Sequence, residues 1–133
     1  MFILKRMSNN GQELEQIKYN LVLKLLNKFL INMNKPEITD LTYFKDIVRQ
    51  DVITEANYKV VEEMEPEILK YFDKAKSGYY QKKRSEENYP VNFLRGLLRQ
   101  INYELENMKK DMSVNINGIN YRKTFMIYSI KKN

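Results

Sequence analysis

The sequence predicts an α+β fold: one mostly helical domain closed by a C-terminal β-hairpin. Three observations carry this. Apolar residues recur at three- and four-residue steps from Gln12 to Met33, Pro90 opens a second strongly amphipathic run, and the period changes from 3.6 to 2 around Asn117-Gly118. The 133 residues fit one domain at about 150 residues per domain. A chain of this size buries roughly two thirds of its unfolded surface, enough for one real core. With 43% hydrophobic and 30% charged residues, it belongs with folded chains rather than disordered ones.

Residues 1–9 read as a flexible N-terminal tail ahead of a globular region over 10–133. Met1-Phe2-Ile3-Leu4 is too short an apolar run for a signal-peptide core. The first helix is expected over 12–33, with Leu14, Ile17, Leu21, Leu25, Phe29 and Met33 on a stripe widened by Val22, Leu26 and Leu30. So broad a face predicts a core helix, and the sharper reading is a homodimer seam through 12–33. Asn34-Lys35-Pro36 ends it. Thr39 or Asp40 caps a short helix carrying Leu41, Phe44, Ile47 and Val48, and Thr54 caps another with Tyr58, Val61 and Met64 on one side. Pro66 suits the first turn of a following helix that buries Ile68, Leu69 and Phe72 and ends near Lys76. A basic loop or short strand fills 77–89. Helix 90–108 follows, lined by Leu94, Leu97, Leu98, Ile101, Leu105 and Met108. The hairpin covers 113–131 with its turn at Asn117-Gly118, since a type I′ turn needs positive φ at both central positions. The second strand outruns the first, and Tyr79-Tyr80 or Phe2-Ile3-Leu4 are the expected partners for the excess.

The composition narrows the chemistry by exclusion. The chain has no Cys and no His. Zinc sites of the usual kind and Cys–His or Ser–His–Asp nucleophiles are therefore out of reach, and no disulfide is available. Four Gly residues, at 11, 78, 96 and 118, form no phosphate-binding loop. The carboxylates Glu62, Glu63, Glu65 and Glu67 crowd one helix, and a two-metal site needs them to converge from separate elements. The expectation is a non-enzyme without cofactor or metal. No apolar stretch is long enough to span a membrane. The cytoplasm, the nucleus or a virion is the expected location. Abundant Asn, Lys, Ile and Tyr suggest an AT-rich genome.

Charge is the positive signal. Residues 1–72 carry ten Lys/Arg against eleven Asp/Glu, a net of −1, while residues 73–133 carry thirteen against six, a net of +7. A one-sided basic excess is the electrostatic footprint of a polyanion-binding protein. Lys74, Lys76, Lys82, Lys83 and Arg84 surround Tyr79 and Tyr80, so cations for phosphates alternate with rings that stack on bases. The alternative is that the tyrosines pack inside and only the lysines face water. The helix from Pro90 presents Asn92, Arg95 and Arg99 opposite its apolar face, and Arg and Asn are the side chains that read guanine and adenine in the major groove. Arg95 and Arg99 could equally pair with Glu104 or Glu106. Arg122-Lys123 follow the hairpin turn.

A helix at Pro90 to Leu105 followed by a basic hairpin at Val114 to Ile130 resembles the recognition helix and wing of winged-helix nucleic-acid-binding domains. The resemblance covers about a third of the chain and rests on arrangement. It departs from the family in the long loop ahead of the helix, where a helix-turn-helix has a tight turn. It implies a DNA-binding protein, DNA rather than RNA, such as a small viral, phage or plasmid regulator. The competing class is a protein-interaction module, a virion component or inhibitor, whose basic face meets an acidic protein.

Overall fold

The computed structural model describes residues 2–73 and 88–133. The fold is α+β. Helix α1 spans Phe2–Asn32, a 3-10 turn Leu41–Tyr43, strand β1 Ile47–Val48, helix α2 Arg49–Val52, helix α3 Glu55–Ile68, helix α4 Tyr89–Arg99, strand β2 Tyr103–Ile116 and strand β3 Ile119–Lys132. The strands form one antiparallel sheet in the order β1-β3-β2. No helix among the described residues is long and apolar enough to cross a membrane.

The helix predicted from Gln12 begins at Phe2, so residues 2–9 are helical. Its stripe is buried only from Leu21 onward: Val22, Leu25, Leu26 and Phe29 are fully enclosed, while Leu14 and Ile17 stay exposed. A dimer seam on this helix would therefore have to use Leu14, Ile17 and Ile31, because the rest of the stripe faces the chain's own core. The end falls where Asn34-Lys35-Pro36 predicts. Asn34 takes a φ of 59°, the Lys35 N–H donates to the Leu30 carbonyl (2.9 Å) and the Asn34 N–H to the Ile31 carbonyl (3.1 Å). Those two bonds are the Schellman closure of a helix. Asn27 then grips the returning chain at Ile38, donating to its carbonyl (3.0 Å) and accepting its N–H (2.8 Å).

Asp40 caps the 3-10 turn, accepting from the Thr42 N–H (2.9 Å). The short helix expected over 41–48 stops at Tyr43, however, and Ile47 and Val48 pair with Tyr128 and Ile127 of β3. A β-branched pair beside an open strand edge gains more from the ladder than from one extra helical turn. Thr54 caps α3 by accepting the Asn57 N–H (3.2 Å). Pro66 does not open a new helix and lies inside α3. Its missing N–H falls in the last turn, where little of the ladder remains to be lost. Val61, Met64 and Ile68 make one continuous buried face across it.

The largest departure is at 90–108. Helix α4 ends at Arg99, Asn102 adopts a φ of 63°, and Tyr103 begins a strand. Leu105 and Met108 are therefore strand residues. The excess length of β3 pairs with this continuation of β2, Tyr103↔Lys132 through Ser113↔Arg122, and with β1. Phe2-Ile3-Leu4 is helical, and Tyr79-Tyr80 lies outside the described residues. Leu105, Tyr128 and Ile130 join Phe29, Leu94 and Leu97 in the core. Eight of the eleven residues of α4 are buried, so this helix runs through the middle of the molecule.

Candidate nucleic-acid interface

The hairpin closes where the Asn-Gly signal places it. Ile116 and Ile119 are paired, and Asn117 and Gly118 have φ of 54° and 82°, the two positive values of a type I′ turn. A Cβ at Gly118 would meet nothing within 4 Å, so the need for glycine is conformational and not steric. Asn115 braces the turn: its Oδ1 accepts the Gly118 N–H (3.0 Å) and its Nδ2 donates to Asn120 Oδ1 (3.2 Å).

Only the root of the hairpin is in the core. Residues 109–124 are exposed except for the half-buried Met112 and Val114. From Lys109 to Ile116 this arm reaches about 24 Å past the core, at about 3.4 Å per residue. The register sorts its side chains. One face carries Lys109, Asp111, Ser113, Asn115, Asn120, Arg122 and Thr124. The other carries Lys110, Met112, Val114, Ile116, Ile119, Tyr121 and Lys123, with Phe125 and Met108 toward the root. The arm holds four cations, Lys109, Lys110, Arg122 and Lys123, against one carboxylate. That carboxylate, Asp111, accepts a hydrogen bond from the Thr124 hydroxyl across the strands (2.6 Å). The Lys123 ammonium lies 5.4 Å from the centre of the Phe125 ring, which orients it by cation–π attraction.

The other expected residues are placed less compactly. Asn92 and Arg95 are half-buried, and an Arg95 Nη1–H donates to Asn92 Oδ1 (3.2 Å), so their polar groups meet on the helix itself. Arg99 is exposed at the end of α4 and is not free of partners. It sits by the root of the hairpin, whereas Arg122, opposite Ser113, is ten strand positions farther out, on the order of 34 Å. Lys74, Lys76, Tyr79, Tyr80, Lys82, Lys83 and Arg84 lie outside the described residues. Sequence reasoning missed Lys109 and Lys110, which fell in the gap between the expected helix 90–108 and the expected hairpin 113–131. The usable signal was the length of β3: a strand with Ile119, Tyr121, Phe125 and Ile127 on one face and Met126, Tyr128 and Ile130 on the other needs a partner as long as itself.

A second concave feature lies between α1 and the hairpin root. Leu14, Tyr19, Asp40, Tyr103 and Lys132 line an open cleft of about 940 Å³. The Tyr19 hydroxyl accepts the Leu41 N–H (3.0 Å), and its ring tilts against Tyr103 with centroids 6.0 Å apart. Burial pushes both phenols above their ordinary range. The Thr42 hydroxyl and N–H, both donating to Asp40, hold its carboxyl below the usual value. Among the described residues no three carboxylates gather to hold a metal ion. Comparison with protein-family models, with curated proteins and with solved structures finds no match.

Proposed function

We propose that the chain is a non-catalytic nucleic-acid-binding protein, duplex DNA its preferred form, that holds the polyanion through the projecting ribbon. The carrying observation is the convergence of Lys109, Lys110, Arg122 and Lys123 on a two-stranded arm with one acidic residue. Two-stranded β-ribbons are among the elements that proteins place in a DNA groove, major or minor. Cations on such an arm displace condensed counterions, which drives association without any base contact. The +7 balance of residues 73–133 extends the same attraction over the rest of the C-terminal half.

Fluorescence anisotropy of a labelled duplex across a salt series tests this. Four phosphates neutralised by the arm contribute about −3.6 to the slope of log affinity against log salt. Replacing all four arm cations by Gln is expected to remove that much of the slope and to weaken every sequence alike. A chain that binds no duplex at ~50 mM salt overturns the reading. The second reading, a module that meets an acidic protein, is favoured by the exposed apolar side chains Ile116, Ile119 and Tyr121 beside the same cations. Binding to an acidic polypeptide with no affinity for duplexes would select it.

A further inference from the structure

The tip of the arm is apolar. Ile116 and Ile119 face each other across the strands, immediately before and after the Asn117-Gly118 turn, and keep 53% and 56% of their surface exposed. Cross-strand packing of two β-branched side chains stabilises a hairpin, but it uses one flank of each and leaves the other in water. The same face carries Lys123 and Lys110 behind the tip. Resting on the nucleic-acid reading above, we infer that the arm enters the minor groove of duplex DNA and that the Ile116–Ile119 pair wedges between adjacent base pairs and kinks the helix.

Two observations favour this over base reading in the major groove, and the groove width sets what entry requires. The polar face has few groups free to read base edges: Asn115 spans the Gly118 N–H and Asn120, and Asp111 holds Thr124. Arg122 is the remaining bidentate donor on that face. The strands of a ribbon are about 4.8 Å apart before side chains are added, and a relaxed minor groove is about 6 Å wide. The arm can enter only if the groove opens. Opening bends the duplex toward the major groove and parts a base step, and aliphatic side chains at the point of entry fill the gap. The charge is also spaced for this pose. Lys123 lies four residues behind Ile119, about 14 Å along the arm, and meets phosphates about four base pairs from the wedge at about 3.4 Å per base pair.

The test uses the full chain and a duplex of about 30 base pairs, with donor and acceptor dyes at its ends and one fluorescent adenine analogue that brightens on unstacking. The wild-type chain is expected to shorten the end-to-end distance, as a kink of about 20–90° requires, and to brighten the analogue. The Ile116→Ser/Ile119→Ser variant keeps the Asn-Gly turn and all four cations. It is expected to bind with an unchanged salt slope while losing both signals. A wild-type chain that binds the duplex without shortening or brightening it overturns the wedge and leaves the nucleic-acid reading standing. So does a double variant that bends DNA as the wild type does. A wild-type chain that binds no duplex overturns both. The wild-type measurement alone decides the matter if the variant fails to fold.

Discussion

Asn57 is fully enclosed, and its side chain binds three segments together. Asn32 of α1 donates to its Oδ1 (2.9 Å), its Nδ2 donates to the Val52 carbonyl at the end of α2 (2.9 Å), and its own N–H is capped by Thr54. An Asn57→Leu chain keeps the volume but loses both side-chain bonds: the Val52 carbonyl is left with the Thr54 N–H (2.9 Å) as its donor, and the amide of the exposed Asn32 turns to water. The expected loss is about 0.5–1.5 kcal/mol for each hydrogen bond removed, read as a lower midpoint in urea; an unchanged midpoint would refute this role for the amide. The two caps ahead of it were legible in the sequence. Asp40 and Thr54 act on N–H groups two and three residues away, and such chemistry is written locally. Asn57 was not legible, because its partner Asn32 is 25 residues distant and a lone Asn between Ala56 and Tyr58 carries no sign of burial.

Among the elements, the hairpin shows both what sequence pattern reveals and where it stops. Asn117-Gly118 located the turn because the required φ values are rare in other residues. The root was misread because Leu94, Leu97, Leu98, Ile101, Leu105 and Met108 keep a helical step straight through Asn102, where the backbone turns left-handed. A four-residue step such as Ile101 to Leu105 fits a helix and a strand alike, and the choice is made by a partner strand about 25 residues away, Leu105↔Ile130. Strand length is thus a property of the pair. Gly118→Val places a β-branched residue at a φ of 82°, a strain of about 1–3 kcal/mol. The arm lies outside the core, so the damage should be local: arm amides lose protection from hydrogen exchange while those of α1 and α4 keep theirs. Unaltered exchange in the arm would contradict the turn geometry.

At the scale of the molecule, core and interface are separable. The sequence displayed the charge asymmetry but not its gathering on one arm, since Lys109 and Lys110, opposite Met126 and Phe125, share the ribbon with Arg122 and Lys123 only through the register. Replacing residues 110–125 by Asn-Gly would leave Leu105, Tyr128 and Ile130 in place. Thermal unfolding of that chain is expected to stay within a few degrees of the wild type, because exposed arm residues contribute little burial. Its affinity for duplex DNA should fall with the lost part of the salt slope. Undiminished binding would move the interface off the arm, to the remaining basic residues of the C-terminal half.

The sheet order β1-β3-β2 leaves β2 without an outer neighbour along its whole length, and β3 without one beyond Val48, among the described residues. Each such edge is a row of N–H and C=O groups on which a strand of another chain can add, the usual route to aggregation. Two arms that approach edge to edge bring Lys109, Lys110, Arg122 and Lys123 against their own likenesses, and the repulsion keeps the copies apart. Salt weakens that protection, as the screening length falls from about 10 Å at 0.1 M to about 3 Å at 1 M. On the nucleic-acid reading, neutralising the arm would remove a grip on phosphate and also leave both edges without that repulsion. Solubility of the free chain and hold on a polyanion would then rest on the same four side chains, and a change made for one would alter the other.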